Sequence, residues 1–296
     1  MKSGDGVLVS AHGTVERLED VPAFLARIRH GRPTPEHIVA EVRDRLRQIG
    51  GSPLLRITRE QASALEARLG IPVVVGMRLW DPSIASAIAE AKARGVTRLL
   101  SLPLAPQSVE IYHAAAREPA REAGVELVLA PAWGEEPALL DAFSEAIDEG
   151  LARFPEERRA KVALVLSAHS LPTRVIAAGD AYERQFRAMA AAVLTRRAEP
   201  SRATRIAFQS QGMDGGDWLG PDLATTFGAL ASEGARDVLV AAIGFVSDHV
   251  ETLYDLDVDA HALAAKAGVT VERAPSLCAR PRFIDALEAV ARRALA

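Results

Sequence analysis

The most diagnostic segment for the fold of this 296-residue chain is Val162-Ala163-Leu164-Val165-Leu166-Ser167-Ala168-His169-Ser170-Leu171-Pro172. Its apolar run, bounded by small and polar residues, is typical of a strand buried on both faces of a parallel sheet. A second run of this kind, 238–243, leads into Gly244-Phe245-Val246-Ser247-Asp248-His249-Val250-Glu251-Thr252-Leu253. Ligands of open α/β sheets bind beyond the carboxyl ends of the strands. The sequence therefore predicts one shared site at these strand ends, with His169, His249 and Glu251 as its candidate residues.

Strands and helices alternate along nearly the whole chain. Short apolar runs predict strands at 7–10, 72–76, 98–102, 126–129, 162–166, 205–208, 238–243 and 270–273. Amphipathic stretches predict helices at 35–48, 59–69, 83–94, 137–153, 181–197, 222–233 and 250–267. Alternation at this spacing predicts the α/β class, with βαβ units and parallel sheets flanked by helices.

The chain reads as two similar halves. Gly6-Val7-Leu8-Val9-Ser10-Ala11-His12 near the start resembles Ala163-Leu164-Val165-Leu166-Ser167-Ala168-His169 in the second half. We predict an N-terminal domain of residues 1–155 and a C-terminal domain of residues 156–296 that carries the main catalytic residues. The boundary falls in the charged stretch 155–161, and the C-terminal helix is the element expected to pack back on the first domain.

Composition narrows the function classes. The chain is 49% hydrophobic and 25% charged with a net charge of −4, so it lacks the basic footprint of a nucleic-acid-binding protein. Its single cysteine, Cys278, rules out an internal disulfide framework and cannot by itself hold an iron–sulfur cluster. No apolar run approaches the ~20 residues of a membrane span, and the N-terminus lacks the form of a signal peptide. We expect a cytoplasmic enzyme or binding protein.

His169 has two interpretations. A histidine at a strand end is commonly hydrogen-bonded to backbone and has only a structural role. The small neighbours Ala168 and Ser170 leave this imidazole unshielded, however, and Pro172 stiffens the loop that presents it. Because an imidazole titrates near neutral pH, it suits proton abstraction or metal ligation.

Glu251 also has two interpretations. Asp248 and Glu251 form a capping-box pattern, which a helix start alone explains. That pattern does not explain Asp255 and Asp259, which follow Glu251 at i+4 and i+8 on one helical face, where like charges repel. A row of carboxylates is a suitable path for a hard divalent cation, whose preferred ligands are oxygens. Solvated surface charge is the alternative.

Two further stretches are candidates for binding. The segment 208–222, with Gln209, Ser210 and Trp218, is rich in glycine and polar groups and predicts a loop at the sheet edge. Near the N-terminus, arginines that include Arg29 and Arg45 precede a Gly-Gly-Ser turn, and they could bind carboxylates bidentately. A solvated basic face is the alternative for these arginines.

Together these segments resemble the ferrochelatases, enzymes that insert ferrous iron into a porphyrin to make haem. The segment 167–172 is similar to the family's Ser-Ala-His-(Gly/Ser)-Leu-Pro motif, and 244–255 is similar to its second signature. The loop containing Gln209-Ser210 and 218–221, the turn 50–54 and the closing segment 280–285 also fit. The resemblance covers nearly the whole chain. It implies a chelatase-like fold of two Rossmann-like domains with the active-site cleft between them.

The resemblance also implies roles for individual residues. His169 and Glu251 match the family's metal ligand and proton acceptor, and the sequence does not decide which residue does which. Asp255 and Asp259 match its outward acidic row for metal delivery, and iron(II) accepts imidazole and carboxylate ligands together. The positions matched to porphyrin contacts are His12, Arg29, Arg45, Ser52, Gln209, Ser210 and Trp218. Fe(II) is then a substrate, and the resemblance implies neither an organic cofactor nor an iron–sulfur cluster.

The chain departs from the family pattern in ways that leave the porphyrin open. His12 stands where many bacterial relatives have a metal-facing tyrosine, so it is either an axial ligand or a strand-end residue. Arg29, Arg45 and Ser52 match positions that hold propionates in the coproporphyrin-using group, which favours coproporphyrin with its four propionates. His12, and Gly134 where that group has tyrosine, favour protoporphyrin with its two.

Three alternative functions stay open. A chelatase for another tetrapyrrole or metal, such as cobalt or nickel, would also use strand-end histidines. A non-catalytic tetrapyrrole-binding or haem-transfer protein would keep the cleft without turnover, although the intact His169 and Glu251 count against it. A periplasmic-type solute binder has two α/β lobes, but the missing signal peptide counts against that class. The sequence does not decide the oligomeric state, nor whether the protein touches a membrane surface or another enzyme of the haem pathway.

Overall fold

The strands follow the apolar runs of the sequence. The computed structural model describes residues 1–29, 31–197, 201, 203–212 and 216–296. Its strands are β1 (Asp5–Ala11), β2 (Val73–Met77), β3 (Arg98–Pro103), β4 (Glu126–Leu129), β5 (Ala163–His169), β6 (Thr204–Gln209), β7 (Asp237–Ala241) and β8 (Thr270–Arg273). Each predicted strand is present, with its ends within three residues of the predicted ones.

The helices alternate with these strands. Within the described ranges they are α1 (Val21–Ile28), α2 (Glu36–Gln48), α3 (Leu54–Leu69), α4 (Ile84–Ala93), α5 (Val109–Ala123), α6 (Pro137–Ala152), α7 (Glu156–Arg159), α8 (Thr173–Ala177), α9 (Tyr182–Thr195), α10 (Leu223–Ser232), α11 (Val250–Leu253), α12 (Ala260–Ala267) and α13 (Pro281–Leu295). A π-helical turn, Asp255–Asp259, separates α11 from α12, so the prediction of one unbroken helix over 250–267 is wrong. None of the helices in the described ranges is both long and apolar enough to cross a membrane.

The strands form two four-stranded parallel sheets. The strand order is β2-β1-β3-β4 in the first sheet and β6-β5-β7-β8 in the second. Each sheet therefore places its first strand between its second and third. In this arrangement the chain crosses from one side of the first strand to the other, and the carboxyl ends of the first and third strands flank the switch point where α/β proteins bind ligands. The predicted α/β class, with parallel sheets flanked by helices, is confirmed.

The core explains why these runs become strands. Every residue of β5 from Ala163 to Ala168 is fully buried, because helices cover the sheet. On the second sheet, Val165 and Val240 pack in one cluster with Phe227 and Leu256. Burying one such side chain is worth roughly 1.5–3 kcal/mol relative to leaving it exposed, so each run holds its strand in the interior.

The chain divides into two compact units. The first contains residues 1–136, 247–250 and 278–296, and the second contains residues 137–246 and 251–277. Helix α13 belongs to the first unit, where Phe283 packs near Trp133 and Arg68 of α3 pairs with Asp285. The division into two domains at residue 155 stays a prediction.

A buried histidine in the first unit makes stability depend on pH. His113 is 2% exposed. Its Nδ1 lies 2.9 Å from Ser101 Oγ, and its Nε2 lies 2.9 Å from the Ala130 carbonyl oxygen. Burial lowers the pKa of His113 below its ordinary value of 6.5. The unfolded chain therefore takes up a proton near that pH, whereas the folded protein resists doing so.

We expect the free energy of unfolding to fall as the pH drops from about 7 to about 5, because His113 binds its proton more readily in the unfolded chain. The contribution is fully present above the unfolded-state pKa and is lost as the pH falls toward the lower folded-state pKa. Urea titrations across this range should show a smaller pH slope in His113→Gln than in the wild type. His37→Gln, at an exposed position of α2, is the control. Equal slopes in wild type and His113→Gln would contradict the assignment.

Candidate functional site

His169 is the last residue of β5 and belongs to the second unit. Its Nδ1 faces the carbonyl oxygen of Ser170, which can only accept, so in the neutral imidazole Nδ1 carries the hydrogen and Nε2 the lone pair. Nε2 lies 3.5 Å from Oε2 of Glu251, and the two side chains are 33% and 27% exposed. This histidine therefore contacts backbone through one ring nitrogen and places the other near a carboxylate, and its role in proton transfer or metal ligation stays a prediction.

A tyrosine that the sequence pattern does not reveal holds the end of β5. The hydroxyl of Tyr182, at the start of α9, donates to the carbonyl oxygen of His169 at 2.9 Å. Burial raises the pKa of Tyr182, and the negative charge of Glu251 raises it further. The phenol therefore stays protonated and remains a donor that fixes the backbone of His169. Tyr182 follows His169 by thirteen residues, so only the folded structure identifies it as a residue of the site.

A buried glutamine connects the strands to the helix that carries Glu251. Gln209, at the end of β6, is 4% exposed. Its Nε2 donates to the backbone carbonyl of Glu251 at 2.7 Å, and its Oε1 accepts from the Ser167 hydroxyl at 2.8 Å. One amide thus connects β5, β6 and the start of α11, so the predicted residue Gln209 bonds to both segments that carry the His169–Glu251 pair.

Gly244 lets the chain leaving β7 approach β5. A Cβ at Gly244 would lie 2.4 Å from the Cβ and 2.7 Å from the Cα of Ala168, closer than real contacts allow. The Gly244 N–H also donates to the Ser167 carbonyl at 3.0 Å. Because β5 and β7 are the first and third strands of their sheet, this contact is at the switch point. The second apolar run thus delivers Glu251 to the place where β5 delivers His169.

The predicted acidic row spans the π-helical turn. The N–H of Asp259 donates to the carbonyl of Tyr254, five residues back, at 3.0 Å. Side chains four residues apart on an α-helix drift by about 40°, and the wider π turn reduces that drift. Asp255 accepts a hydrogen bond from the hydroxyl of Ser210, whose φ is 60°. Within the described ranges, no three His, Cys, Asp or Glu side chains are grouped closely enough to hold one metal ion together.

The helix start differs from the capping-box expectation. Helix α11 begins at Val250, so the residue that precedes it is His249 rather than Asp248. Asp248 instead lies near Cys278, with Oδ2 3.9 Å from the sulfur.

The loop that follows His169 pairs with the loop that contains Trp218. Pro172 and Trp218 form an isolated antiparallel bridge, and the Ser170 hydroxyl donates to the Leu219 carbonyl at 2.8 Å. A Cβ at Gly212 would lie 2.6 Å from the Trp218 ring, so the ring covers that glycine. Residues 213–215 of the predicted sheet-edge loop lie outside the described residues.

The remaining predicted porphyrin contacts belong to the first unit. His12 is exposed directly after β1, and Arg29 is exposed just after α1. Arg45 donates to Glu41 of the same helix at 2.7 Å. Ser52 is 8% exposed, and its hydroxyl has no hydrogen-bond partner among the described residues. The role of these four residues in porphyrin binding stays a prediction.

The pair at the switch point can handle a cation and a proton. The distance of 3.5 Å between His169 Nε2 and Glu251 Oε2 exceeds that of a normal hydrogen bond, so these two atoms are not hydrogen-bonded to each other. Two ligands of one ion, each about 2.1 Å from it, lie roughly 3 to 3.5 Å apart. The duplicated α/β fold and this imidazole–carboxylate pair define a metal chelatase as the class of protein.

Solved structures agree with that fold class. SirB from Bacillus subtilis, solved with Fe3+, aligns over 99% of this chain and 96% of its own at a TM-score of 0.61 and 14% identity. CbiX, described as the terminal enzyme of sirohaem biosynthesis in denitrifying bacteria, aligns over 99% of this chain and 100% of its own at a TM-score of 0.52 and 14% identity. At such identities the likeness shows the fold alone.

Sequence comparison gives the family. The ferrochelatase family model matches residues 4–295. A ferrochelatase of Acidobacterium capsulatum is 35% identical, covering 100% of this chain and 96% of its own. A coproporphyrin III ferrochelatase of Anoxybacillus flavithermus is 36% identical, covering 96% of this chain and 94% of its own. The chain belongs to the ferrochelatase family, which confirms the resemblance drawn from the motifs.

Proposed function

We propose that this protein inserts Fe(II) into a porphyrin, protoporphyrin IX or coproporphyrin III, as a step of haem biosynthesis. The observation that carries the proposal is the His169–Glu251 pair at the switch point of the second sheet, in a chain of the ferrochelatase family. The relatives include both ferrochelatases and coproporphyrin III ferrochelatases, so the two porphyrins are the substrates to compare.

The reaction exchanges one ion for two protons. A free porphyrin holds two pyrrole N–H protons, and both leave as Fe(II) binds the four nitrogens, so the product is a neutral iron porphyrin. His169 is our choice of acceptor for the two protons in turn, because its Nε2 carries the lone pair of the neutral imidazole and an imidazole titrates nearest to neutral pH. The first proton passes from His169 to solvent before the second is taken, since the side chain is 33% exposed. Glu251 then stabilises the imidazolium by its charge, in the way that a carboxylate supports a catalytic histidine.

Glu251 has a second task in this proposal, as a ligand of the incoming iron. Its carboxylate lies 3.5 Å from His169, Asp255 follows Glu251 four residues later along the chain, and iron(II) accepts oxygen and imidazole ligands. We propose that Asp255 and Asp259 offer successive weak sites from which the ion passes to Glu251.

The porphyrin needs contacts of its own besides the metal-handling pair. We assign this role to His12, Arg29, Arg45, Ser52, Gln209, Ser210 and Trp218. Arginine binds carboxylates through a planar fork, so Arg29 and Arg45 suit the propionates. We further propose that the reaction needs no organic cofactor or iron–sulfur cluster and that it takes place in the cytoplasm.

Anaerobic assays with both porphyrins test the proposal. Purified protein is mixed with Fe(II) and, separately, with protoporphyrin IX and coproporphyrin III, and the Soret band is followed. We expect metallation of at least one porphyrin, and the faster one is the substrate. A porphyrin that binds, with a shifted absorbance band, but is never metallated would contradict the enzymatic proposal and favour a haem-transfer protein.

A further inference from the structure

The π-helical turn Asp255–Asp259 is an uncommon conformation that the sequence pattern does not explain. Two backbone bonds to the fifth residue back define it: Asp259 N–H to Tyr254, and Ala260 N–H to Asp255. The helix is regular before and after it, in α11 and α12. Single π turns are rare and cluster at functional sites, and tertiary contacts must hold them against the regular helix.

One side of the turn is held from the core. Leu256 is 2% exposed and packs in one cluster with Ala260, Phe227 and Val240. The Asp255 carboxylate also accepts the hydrogen bond from Ser210 at the end of β6. These contacts hold Leu256 and Asp255, but they leave the middle of the turn, at Asp257, to be held from elsewhere.

An arginine on β8 holds that middle position. Nε of Arg273 lies 2.6 Å from Oδ1 of Asp257, and Nη2 lies 2.9 Å from Oδ2, so the guanidinium binds the carboxylate bidentately. Arg273 is 14% exposed, and its Nη1 donates to Ser276 Oγ at 3.0 Å. A bidentate pair with one largely buried partner fixes direction as well as distance, unlike a solvated surface pair.

We propose that Arg273 is a positioning residue for iron delivery. Through Asp257 it holds the π turn, and the turn sets the spacing of Asp255 and Asp259 relative to Glu251. The inference rests on the proposed function, because those three carboxylates matter only if they pass the metal ion. It adds a residue outside both sequence signatures to the machinery that handles iron.

The proposal predicts a selective defect in Arg273→Gln and Asp257→Asn. Groups that orient metal ligands from behind typically contribute 10- to 100-fold to metal affinity. We expect the KM for Fe(II) to rise about 10-fold in each variant while the KM for the porphyrin stays within about twofold. The double variant Asp257→Arg with Arg273→Asp should recover most of the loss, because it restores a pair with the charges exchanged.

The control is an arginine–glutamate pair elsewhere in the same unit. Nη2 of Arg205 lies 2.7 Å from both carboxylate oxygens of Glu233, and these side chains are 40% and 47% exposed. Arg205→Gln should leave both KM values unchanged. Equal rises in the KM for iron and for porphyrin in Arg273→Gln, or no rise in either, would overturn the proposal.

A second readout separates this inference from the proposed function. Amide hydrogen exchange of a peptide covering 253–262, measured by mass spectrometry, should speed up in Arg273→Gln and Asp257→Asn but not in Arg205→Gln. That measurement does not need turnover, so it still tests whether Arg273 holds the π turn if the wild type fails to metallate any porphyrin. Unchanged exchange rates in both variants would refute the role of Arg273 in holding the π turn, whatever the enzymatic activity.

Discussion

Replacing His169 with alanine is expected to lower kcat for iron insertion by about 10²- to 10⁴-fold, the range found for removing a positioned general base. The loss follows from the geometry. Nδ1 contacts the Ser170 carbonyl, so Nε2 is the ring nitrogen whose lone pair can accept the pyrrole proton. The KM for porphyrin should change little, since the imidazole acts on the proton in transit. Initial rates from the Soret band of the metalloporphyrin provide the measurement.

Two additions make the His169→Ala experiment specific. Free imidazole in the assay should restore part of the rate, since the vacated space lies beside Glu251 and can admit a base. His261→Ala, at an exposed position of α12, should have the activity of the wild type. If His169→Ala retained more than about a tenth of the wild-type kcat, the assignment of the proton acceptor would fail, because a general base contributes more than that.

Replacing Glu251 with glutamine is expected to cost at least about 10²-fold in kcat/KM for Fe(II). Glutamine keeps the shape of the side chain but removes the charge that attracts the cation and stabilises a protonated His169. The fold should survive, since Gln209 bonds to the backbone carbonyl of Glu251 and not to its carboxylate. Thermal unfolding of the variant, within a few degrees of the wild type, is the check on this point.

Substrate saturation distinguishes the two tasks assigned to Glu251. A ligand role predicts that raising Fe(II) recovers part of the rate in Glu251→Gln, whereas Glu251→Asp should keep more activity than Glu251→Gln because it keeps the charge. Glu157→Gln, in the exposed helix α7, is the matched control. Activity of Glu251→Gln equal to that of the control would remove this carboxylate from the mechanism.

Much of the fold could be predicted because its strands are buried on both faces. The run that becomes β5 is so apolar that only the interior can hold it, and β7 is alike. Helix α5 is harder, because Pro119 lies inside it and its buried face depends on Tyr112 and Ala116 packing on the first sheet. The hydropathy pattern of the sequence does not show these packing contacts, so it does not predict this helix.

The candidate site was predictable in part for a similar reason. His169 ends β5 and Glu251 lies in the helix that follows β7, so the order of the strands brings both to the switch point. Tyr182 and Arg273 act through contacts made only in the folded chain, at the His169 carbonyl and the Asp257 carboxylate. The π turn belongs to this second group as well, since a period of 3.6 residues describes 250–267 as one helix.

The repeated strand order makes the two halves of the chain structurally equivalent. Strand β1 corresponds to β5, β2 to β6, β3 to β7 and β4 to β8, so the two sheets can be aligned without reference to any other protein. In that alignment His12, directly after β1, is the counterpart of His169 at the end of β5. Duplication of a half-length ancestral gene, followed by divergence, would account for this correspondence. Each half can therefore serve as an outgroup for the other, and ancestral reconstruction can ask in which copy the strand-end histidine came first.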